Sequence, residues 1–233
     1  MVRVTADLPY TLRIDGSWET PATKYPLGKI GRAEITRKRQ SRGLYRMEAV
    51  CGYLYYKLAK PIMVTSLKIR GRIWMVDDPL HWFGMKELAK YSEGKVLVGG
   101  LGLGLIVHAL LENKNVADID VVEFNHDVTN LVTPHLPKTE RLRIYEDNVF
   151  SFDPRDILST PKTDFGDYKT VILDVWTGRG TTEMLRQMLS SFAHMKWQYH
   201  NANVVIWGHG AHWLNPSVDE EVSKMITKDY WVG

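Results

Sequence analysis

The sequence is poor in cysteine and contains no long apolar run. Cys51 is the single cysteine among 233 residues, which excludes an intramolecular disulfide and any zinc site built from several cysteines. The longest apolar stretch begins at Val96, is rich in glycine and is interrupted by His108, so it is shorter than the roughly 18 residues of a membrane span. The N-terminal segment also lacks the apolar core of a secretory signal peptide, and we therefore expect a cytoplasmic protein.

Internal repeats and low-complexity segments are absent as well. Hydrophobic residues make up 44% of the chain and charged residues 24%, which excludes intrinsic disorder of the whole chain. A chain of 233 residues is long enough to bury a core without disulfides, and it predicts one domain or one domain with a small extension.

Positive charge is concentrated in the first part of the chain. Residues 1–94 contain 17 basic and 9 acidic residues, whereas residues 95–233 contain 13 and 18. The densest basic run consists of Arg37, Lys38, Arg39 and Arg42. Such a run is typical of a solvated hairpin tip or loop, and the alternative is a weak contact with the phosphates of a nucleic acid. The absence of interleaved aromatic residues weakens the nucleic-acid alternative.

Alternating strand patterns dominate the first part of the sequence. Two of them, at 64–70 and 72–76, meet at Gly71, which predicts a β-hairpin whose turn uses a positive φ. Asp78 followed by Pro79 predicts the N-cap and the first residue of a helix.

From Lys95 onward the pattern changes to strands that alternate with helices. Predicted strands cover 96–98, 118–124, 141–146, 170–174 and 203–207. The first predicted helix ends near residue 113, and two further helices cover 126–136 and 181–195. Near-continuous apolar strands between helices predict an α/β fold, with a doubly wound, mostly parallel sheet that is covered on both faces. We therefore expect a β-rich extension at 1–78 and a Rossmann-like cofactor-binding domain at 79–233.

A glycine loop between the first of these strands and its helix is the most informative segment. Its pattern is G-x-G-x-G at Gly100, Gly102 and Gly104, where a dinucleotide fingerprint would need a further glycine at Leu105 or Val107. No G-K-[ST] follows, which excludes a phosphate P-loop. The loop therefore favours a ligand with an adenosine and no phosphate, and the alternative is a turn that only packs the helix on the strand.

An acidic residue follows this loop at the spacing that a nucleoside site requires. Glu123 ends the second predicted strand, 19 residues after Gly104, where its carboxylate could accept hydrogen bonds from both ribose hydroxyls. The alternative is a strand-end carboxylate that simply faces solvent.

Four motifs together resemble those of class I S-adenosylmethionine-dependent methyltransferases. They are VLVGGLGLG, DVVEFN, IYEDN and VILD, and the resemblance covers roughly residues 64–210. The spermidine-synthase-like branch is the most similar, because it also has a hairpin like the one around Gly71 and an apolar residue at the position of Val98.

The resemblance implies that S-adenosyl-L-methionine is the cofactor, and it assigns residues to it. Glu123 would hold the ribose, Asp147 would accept from the adenine amine, and Asp174 would lie near the methionine moiety or the acceptor. The cofactor-binding residues implied in this way are Gly100, Leu101, Gly102, Gly104, Glu123, Phe124, Asp147, Asn148 and Asp174.

The acceptor side is predicted from the segments that follow the fourth and fifth strands. Asp174, His209 and Trp176 are the candidate catalytic residues, with His209 as a base and Trp176 as a stacking surface. His209 and His212 form a His-x-x-His pair, but without nearby acids we expect no metal. The remaining histidines, including His81, are interpreted as surface or capping residues.

We expect a methyltransferase that acts on an unidentified acceptor. The first alternative is an aminopropyltransferase, although that family carries aspartates where this chain has Leu103 and Thr177. A non-catalytic cofactor-binding scaffold and a nicotinamide oxidoreductase are further alternatives. The 23 residues at 211–233 are too few for the usual end of the methyltransferase sheet, so we expect another element or a second subunit at that edge. We expect no membrane partner, and a homo-oligomer is left open.

Overall fold

The computed structural model describes residues 2–5, 11–14, 16–49, 52–153, 168–176 and 182–207. The first part of the chain contributes the strands β1 (Val2–Thr5), β2 (Thr11–Ile14), β3 (Gly28–Ile30), β4 (Ala33–Gln40), β5 (Gly43–Ala49), β6 (Gly52–Leu58), β7 (Ile62–Ile69) and β8 (Arg72–Val76). The second part contributes α1 (Pro79–Lys90), β9 (Gly94–Gly99), α2 (Leu105–Glu112), β10 (Val116–Glu123), α3 (His126–Val132), β11 (Leu142–Glu146), β12 (Tyr168–Leu173), α4 (Thr182–Gln198) and β13 (Asn203–Ile206).

The five strands of the second part form one parallel sheet in the order β11-β10-β9-β12-β13. From β9 the chain moves outward to β10 and β11, and it then crosses to β12 and β13 on the other side. The order therefore reverses between β9 and β12, which is where ligands bind in open sheets of this kind. This arrangement confirms the predicted Rossmann-like, doubly wound α/β fold.

The central strand β9 explains why the sequence has continuous apolar runs. Val96 and Val98 are fully buried on the face that α1 and α2 cover. Leu97 points to the opposite face, where it belongs to the same apolar cluster as Met188 and Met195 of α4. Because both faces of the strand are buried, neither alternate set of residues is polar.

The first part of the chain forms two four-stranded sheets. Their strand orders are β1-β2-β6-β5 and β3-β4-β7-β8. Asp77, which is fully buried, joins two of their segments, because its carboxylate accepts hydrogen bonds from the Thr20 hydroxyl and from the Thr65 N–H group. The division of the chain at residues 78 and 79 stays a prediction.

The hairpin that the sequence indicates is formed by β7 and β8. Its turn is made by Arg70 and Gly71, with φ values of 53° and 76°. Two consecutive positive φ values are typical of a type I′ turn, whose twist matches that of the flanking strands. The prediction of a positive φ at Gly71 is therefore confirmed.

The helix predicted at 126–136 is shorter than expected. It ends as an α-helix at Val132, and Thr133–His135 continue as a 3-10 turn. Pro134 has no N–H group and cannot donate the next helical hydrogen bond, which explains this end.

The basic run lies on a strand rather than at a hairpin tip. Arg37, Lys38 and Arg39 belong to β4, which pairs along its whole length with β7, and only Arg42 lies in the following turn. The guanidinium group of Arg37 donates to the carbonyl of Tyr25 at 2.7 Å, so Arg37 is engaged within the fold. Lys38, Arg39 and Arg42 are exposed, and a phosphate contact through them stays a prediction.

None of the helices in the described ranges is long and apolar enough to span a membrane.

Helix α1 packs against the last strand through a glycine. A Cβ atom at Gly84 would overlap the indole ring of Trp207, which directly follows β13. The same ring lies 6.1 Å from the ring of His81, measured between centroids. The small residue at position 84 therefore lets α1 approach the carboxyl end of the sheet.

We expect Gly84→Ala to lower the free energy of unfolding by about 1–3 kcal/mol, because the added methyl group overpacks this contact. Alanine is favoured over glycine in a helix by about 1 kcal/mol, so the sign of the change reports on the contact with Trp207. The control is Gly28→Ala, since a Cβ atom at Gly28 meets nothing within 4 Å. Urea unfolding that shows a more stable Gly84→Ala variant would contradict this packing.

Candidate functional site

The residues that follow the parallel strands lie in one row at the carboxyl edge of the sheet. The backbone N–H groups of Gly100 and Asp147 donate to the carbonyls of Val122 and Glu123, respectively. Those of Asp174 and Trp207 donate to the carbonyls of Gly99 and Leu173, respectively. The ladder therefore continues one residue past each strand. It places the glycine loop between two acidic residues, Glu123 on one side and Asp174 on the other.

The glycine loop has the conformation that the sequence predicts for a tight turn. Gly100, Gly102 and Gly104 have φ values of 93°, 54° and 71°, which residues with a Cβ atom rarely adopt. Gly104 is also the N-cap of α2 and leaves the helix without a side-chain cap.

The space beside these glycines is filled by the chain itself. Cβ atoms at Gly100, Gly102 and Gly104 would overlap the Asp174 carbonyl oxygen, the Met75 sulfur and the Leu136 side chain, respectively. The Met75 sulfur also accepts a hydrogen bond from the N–H group of Leu103 at 3.2 Å. The three glycines are therefore explained by internal packing, and a ligand has to meet the loop on another side.

Glu123 is bonded directly to the glycine loop. One carboxylate oxygen accepts from the N–H group of Leu101 and the other from that of Asn125, each at 2.8 Å. Burial raises the pKa of the Glu123 carboxyl, and the backbone hydrogen bonds partly oppose this rise. The backbone N–H groups of Gly102 and Phe124 also act on this carboxyl and lower its pKa. The glycine loop and the Glu123 carboxylate are therefore in direct contact.

Residues beside Glu123 leave this end of the sheet open. Phe124 is 82% exposed, which is rare for a side chain of this size. Asp147 and Asn148 are also exposed, and the Asp147 carboxylate accepts from the Asn148 N–H group at 2.6 Å. An exposed ring next to a turn with exposed polar side chains is a surface on which a planar base can stack.

Asp174 lies on the other side of the loop and is partly buried. The pKa of its carboxyl is raised to about 7, mainly by burial. The charge of His81 opposes this rise, and the charge of Glu123 adds to it. Trp176 is also partly buried, and its ring lies 6.4 Å from that of Phe150. Asp174 and Trp176 thus lie at the edge where the sequence places them, but no finding assigns them a catalytic role.

His81 is a site residue that sequence reasoning missed. Its backbone N–H group and its ring nitrogen Nδ1 both point to the same Asp78 oxygen, at 3.1 and 2.9 Å. The His81 side chain is only 12% exposed and that of Asp78 only 7%, so the pair is enclosed. The spacing could have indicated it, because a histidine three residues after an N-cap aspartate lies directly beside it.

The charges around His81 oppose the effect of its burial. Burial alone would lower the pKa of the imidazole, but the charge and hydrogen bond of Asp78 raise it, followed by the charges of Asp174 and Asp77. The net result is a pKa above the usual value of histidine. His81 is therefore held in an acidic surrounding and is not a surface residue.

Part of the predicted acceptor side lies outside the described residues. This applies to His209 and His212, so the predicted base and the His-x-x-His pair stay predictions. In the part of the chain that the structure describes, no group of three or more histidine, cysteine or acidic residues could hold a metal ion.

Comparisons with known proteins show likeness at the level of solved structures. No family model matches the chain, and no curated protein matches it. Similar structures include a dimethyladenosine transferase from Plasmodium falciparum, with a TM-score of 0.37 and 11% identity over 64% of this chain and 50% of that chain. A spermidine synthase from Thermotoga maritima has a TM-score of 0.36 and 14% identity over 59% of this chain and 56% of that chain.

A spermidine synthase in complex with the transition-state analogue AdoDATO has a TM-score of 0.33 and 13% identity over 59% of this chain and 56% of that chain. The matched region thus spans only about half the length of these proteins. TM-scores below 0.5 do not establish the activity, which has to be argued from the site itself.

We expect Asp174→Asn to stabilise the protein at neutral and higher pH. The folded-state pKa of about 7 exceeds the ordinary value of 3.8, so the cost of the ionised carboxyl grows as the pH rises from about 4 to about 7. One pKa unit corresponds to about 1.4 kcal/mol, and we expect a gain of about 1–3 kcal/mol at pH 8 that vanishes at pH 4.

Urea unfolding at the two pH values measures this difference. The exposed Glu112, substituted as Glu112→Gln, is the control and should change the free energy of unfolding by less than about 0.5 kcal/mol. A loss of stability in Asp174→Asn at pH 8 would show that the ionised carboxylate has a stabilising partner.

Proposed function

We propose that this protein binds S-adenosyl-L-methionine at the carboxyl edge of its parallel sheet and transfers the methyl group to an acceptor. The observation that carries the proposal is the contact between the Glu123 carboxylate and the glycine loop. It joins the ends of β9 and β10, next to the point where the strand order reverses between β9 and β12. A carboxylate fixed there by two backbone N–H groups can accept hydrogen bonds from ribose hydroxyls.

The side chains around the loop fit such a ligand. Glu123 would hold the ribose, and Phe124, with Asp147 and Asn148 beside it, would hold the base. Asp174 would lie near the sulfonium group, where its negative charge complements a positive one. The glycine spacing, which lacks the third glycine of a dinucleotide fingerprint, supports the choice against a nicotinamide dinucleotide.

The bound cofactor would supply a methyl group that is already activated for transfer. What remains for the chain is to hold the donor and the acceptor in line, which can lower a barrier by several kcal/mol. A group that accepts a proton is needed only where the acceptor atom carries one.

An aminopropyltransferase is the first alternative, and one described residue counts against it. Leu103 occupies the loop position at which the sequence resemblance places an aspartate in that family, and its side chain is fully buried. This position therefore offers no carboxylate for a diamine. A cofactor-binding scaffold without chemistry remains the second alternative, and it would bind the same ligand without turnover.

We expect Glu123→Ala to weaken the binding of S-adenosyl-L-methionine about ten- to a hundredfold, since hydrogen bonds to a charged group contribute about 1.5–3 kcal/mol each. Isothermal calorimetry measures this change, with the demethylated product and a nicotinamide dinucleotide as comparison ligands. The exposed Glu112, replaced in Glu112→Ala, is the matched control. Tighter binding of the dinucleotide by the wild-type protein would overturn the proposal.

We expect Phe124→Ala to weaken the same binding about five- to a hundredfold, because stacking of a base on an aromatic ring contributes about 1–3 kcal/mol. Its side chain is already exposed, so the free energy of unfolding should hardly change. The control is Trp197→Ala on α4, another large aromatic side chain that is 80% exposed. Equal affinity in Phe124→Ala and the wild type would exclude Phe124 from the binding surface.

A further inference from the structure

The orientation of His81 is fixed by its carboxylate partner. An ionised carboxylate can only accept hydrogen bonds, so His81 Nδ1 must donate to Asp78 across the 2.9 Å that separates them. The other ring nitrogen, Nε2, then carries a lone pair in the neutral imidazole. Asp78 is also the N-cap of α1, and the backbone N–H group of His81 holds its carboxylate in place, so the ring loses its Nδ1 contact if it turns.

This ring lies at the edge of the sheet where the proposed ligand binds. Trp207, which follows β13, has its ring 6.1 Å away, and Asp174, which follows β12, interacts with His81 electrostatically. The charged groups that act on His81 are Asp77 and Asp78 before α1 and Asp174 after β12, and all three are acidic. These negative charges favour the protonated, imidazolium form of His81.

We propose that His81, held by Asp78, is the proton-accepting residue of this site, and that the acceptor is therefore a molecule whose attacking atom loses a proton, such as a hydroxyl or an amine. This inference rests on the proposed methyl transfer. An enclosed histidine oriented through Nδ1 by a carboxylate has the arrangement of a general base.

The balance of charge supports this assignment. The lone pair of the acceptor oxygen or nitrogen forms a bond to the methyl carbon while the methyl–sulfur bond breaks, its electrons return to sulfur, and S-adenosylhomocysteine leaves as a neutral thioether. The methylated atom then still holds its original proton and one excess positive charge. His81 Nε2 accepts that proton and becomes an imidazolium ion, which Asp78 and Asp174 stabilise. The proton then passes to solvent, and the residue is restored without any other reactant.

The first test needs no cofactor and no acceptor. In ¹⁵N NMR spectra of the wild-type protein, the His81 resonances are identified by their absence in His81→Gln. We expect the neutral ring to carry its proton on Nδ1, and the pKa of His81 to fall in Asp78→Asn. A neutral His81 with its proton on Nε2, or a pKa that does not respond to Asp78→Asn, would overturn the assignment.

The second test measures transfer of the labelled methyl group of S-adenosylmethionine to three probe acceptors. Catechol and n-butylamine must lose a proton, whereas the thioether dimethyl sulfide has none to lose. We expect His81→Gln to transfer to the first two at least tenfold more slowly, and to the thioether at an unchanged rate. The pH dependence of transfer to catechol should lose its lower inflection in this variant.

The matched control is His126→Gln. His126 also pairs with a carboxylate, that of Glu146 at 2.7 Å, but its side chain is 70% exposed. We expect this variant to transfer to all probes like the wild type. Equal binding of S-adenosylmethionine by His81→Gln in calorimetry shows that the variant is folded and loaded.

The outcomes separate the two proposals. If the wild type binds S-adenosylmethionine but methylates neither catechol nor n-butylamine, or if His81→Gln methylates them at the wild-type rate, the role of His81 is wrong and cofactor binding stands. If the wild type does not bind S-adenosylmethionine, the proposed function is wrong, and the role of His81 fails with it.

Discussion

The site depends on the hydrogen bond between the Glu123 carboxylate and the glycine loop. It joins the ends of the two neighbouring strands β9 and β10, and it fixes a negative charge against backbone N–H groups at 2.8 Å. Burial opposes the ionisation of this carboxyl, and the hydrogen bonds favour it. The carboxylate is thus preorganised, so a nucleoside that bonds to it does not have to order it first.

Packing against the glycines of the loop supports the same arrangement. The glycines of the loop accommodate the chain's own atoms, with Met75 against Gly102 and the Asp174 backbone against Gly100. Gly84 lets α1 lie close to Trp207, which brings His81 to the edge of the sheet. Small residues therefore determine where the polar ones lie, although none of them has a chemical role itself.

The sequence predicted the parallel sheet and placed Glu123 at the end of its strand because both depend on local order along the chain. A strand, a glycine turn and a helix are adjacent in sequence, and parallel pairing then places Glu123 beside Leu101. The pairing of His81 with Asp78 is local, but its place at the edge of the sheet depends on how α1 packs against Trp207, which no local pattern reports. The packing that requires glycines in the loop could not be predicted either, since Met75 and Leu136 come from distant parts of the sequence.

A crystal structure of the protein with S-adenosylhomocysteine tests the central claim most directly. The account predicts that both ribose hydroxyls donate to the Glu123 carboxylate, that the adenine lies against Phe124, and that the sulfur lies on the Asp174 side of Gly100. A ligand bound away from Glu123, or no ligand beside the glycine loop at saturating concentration, would contradict it.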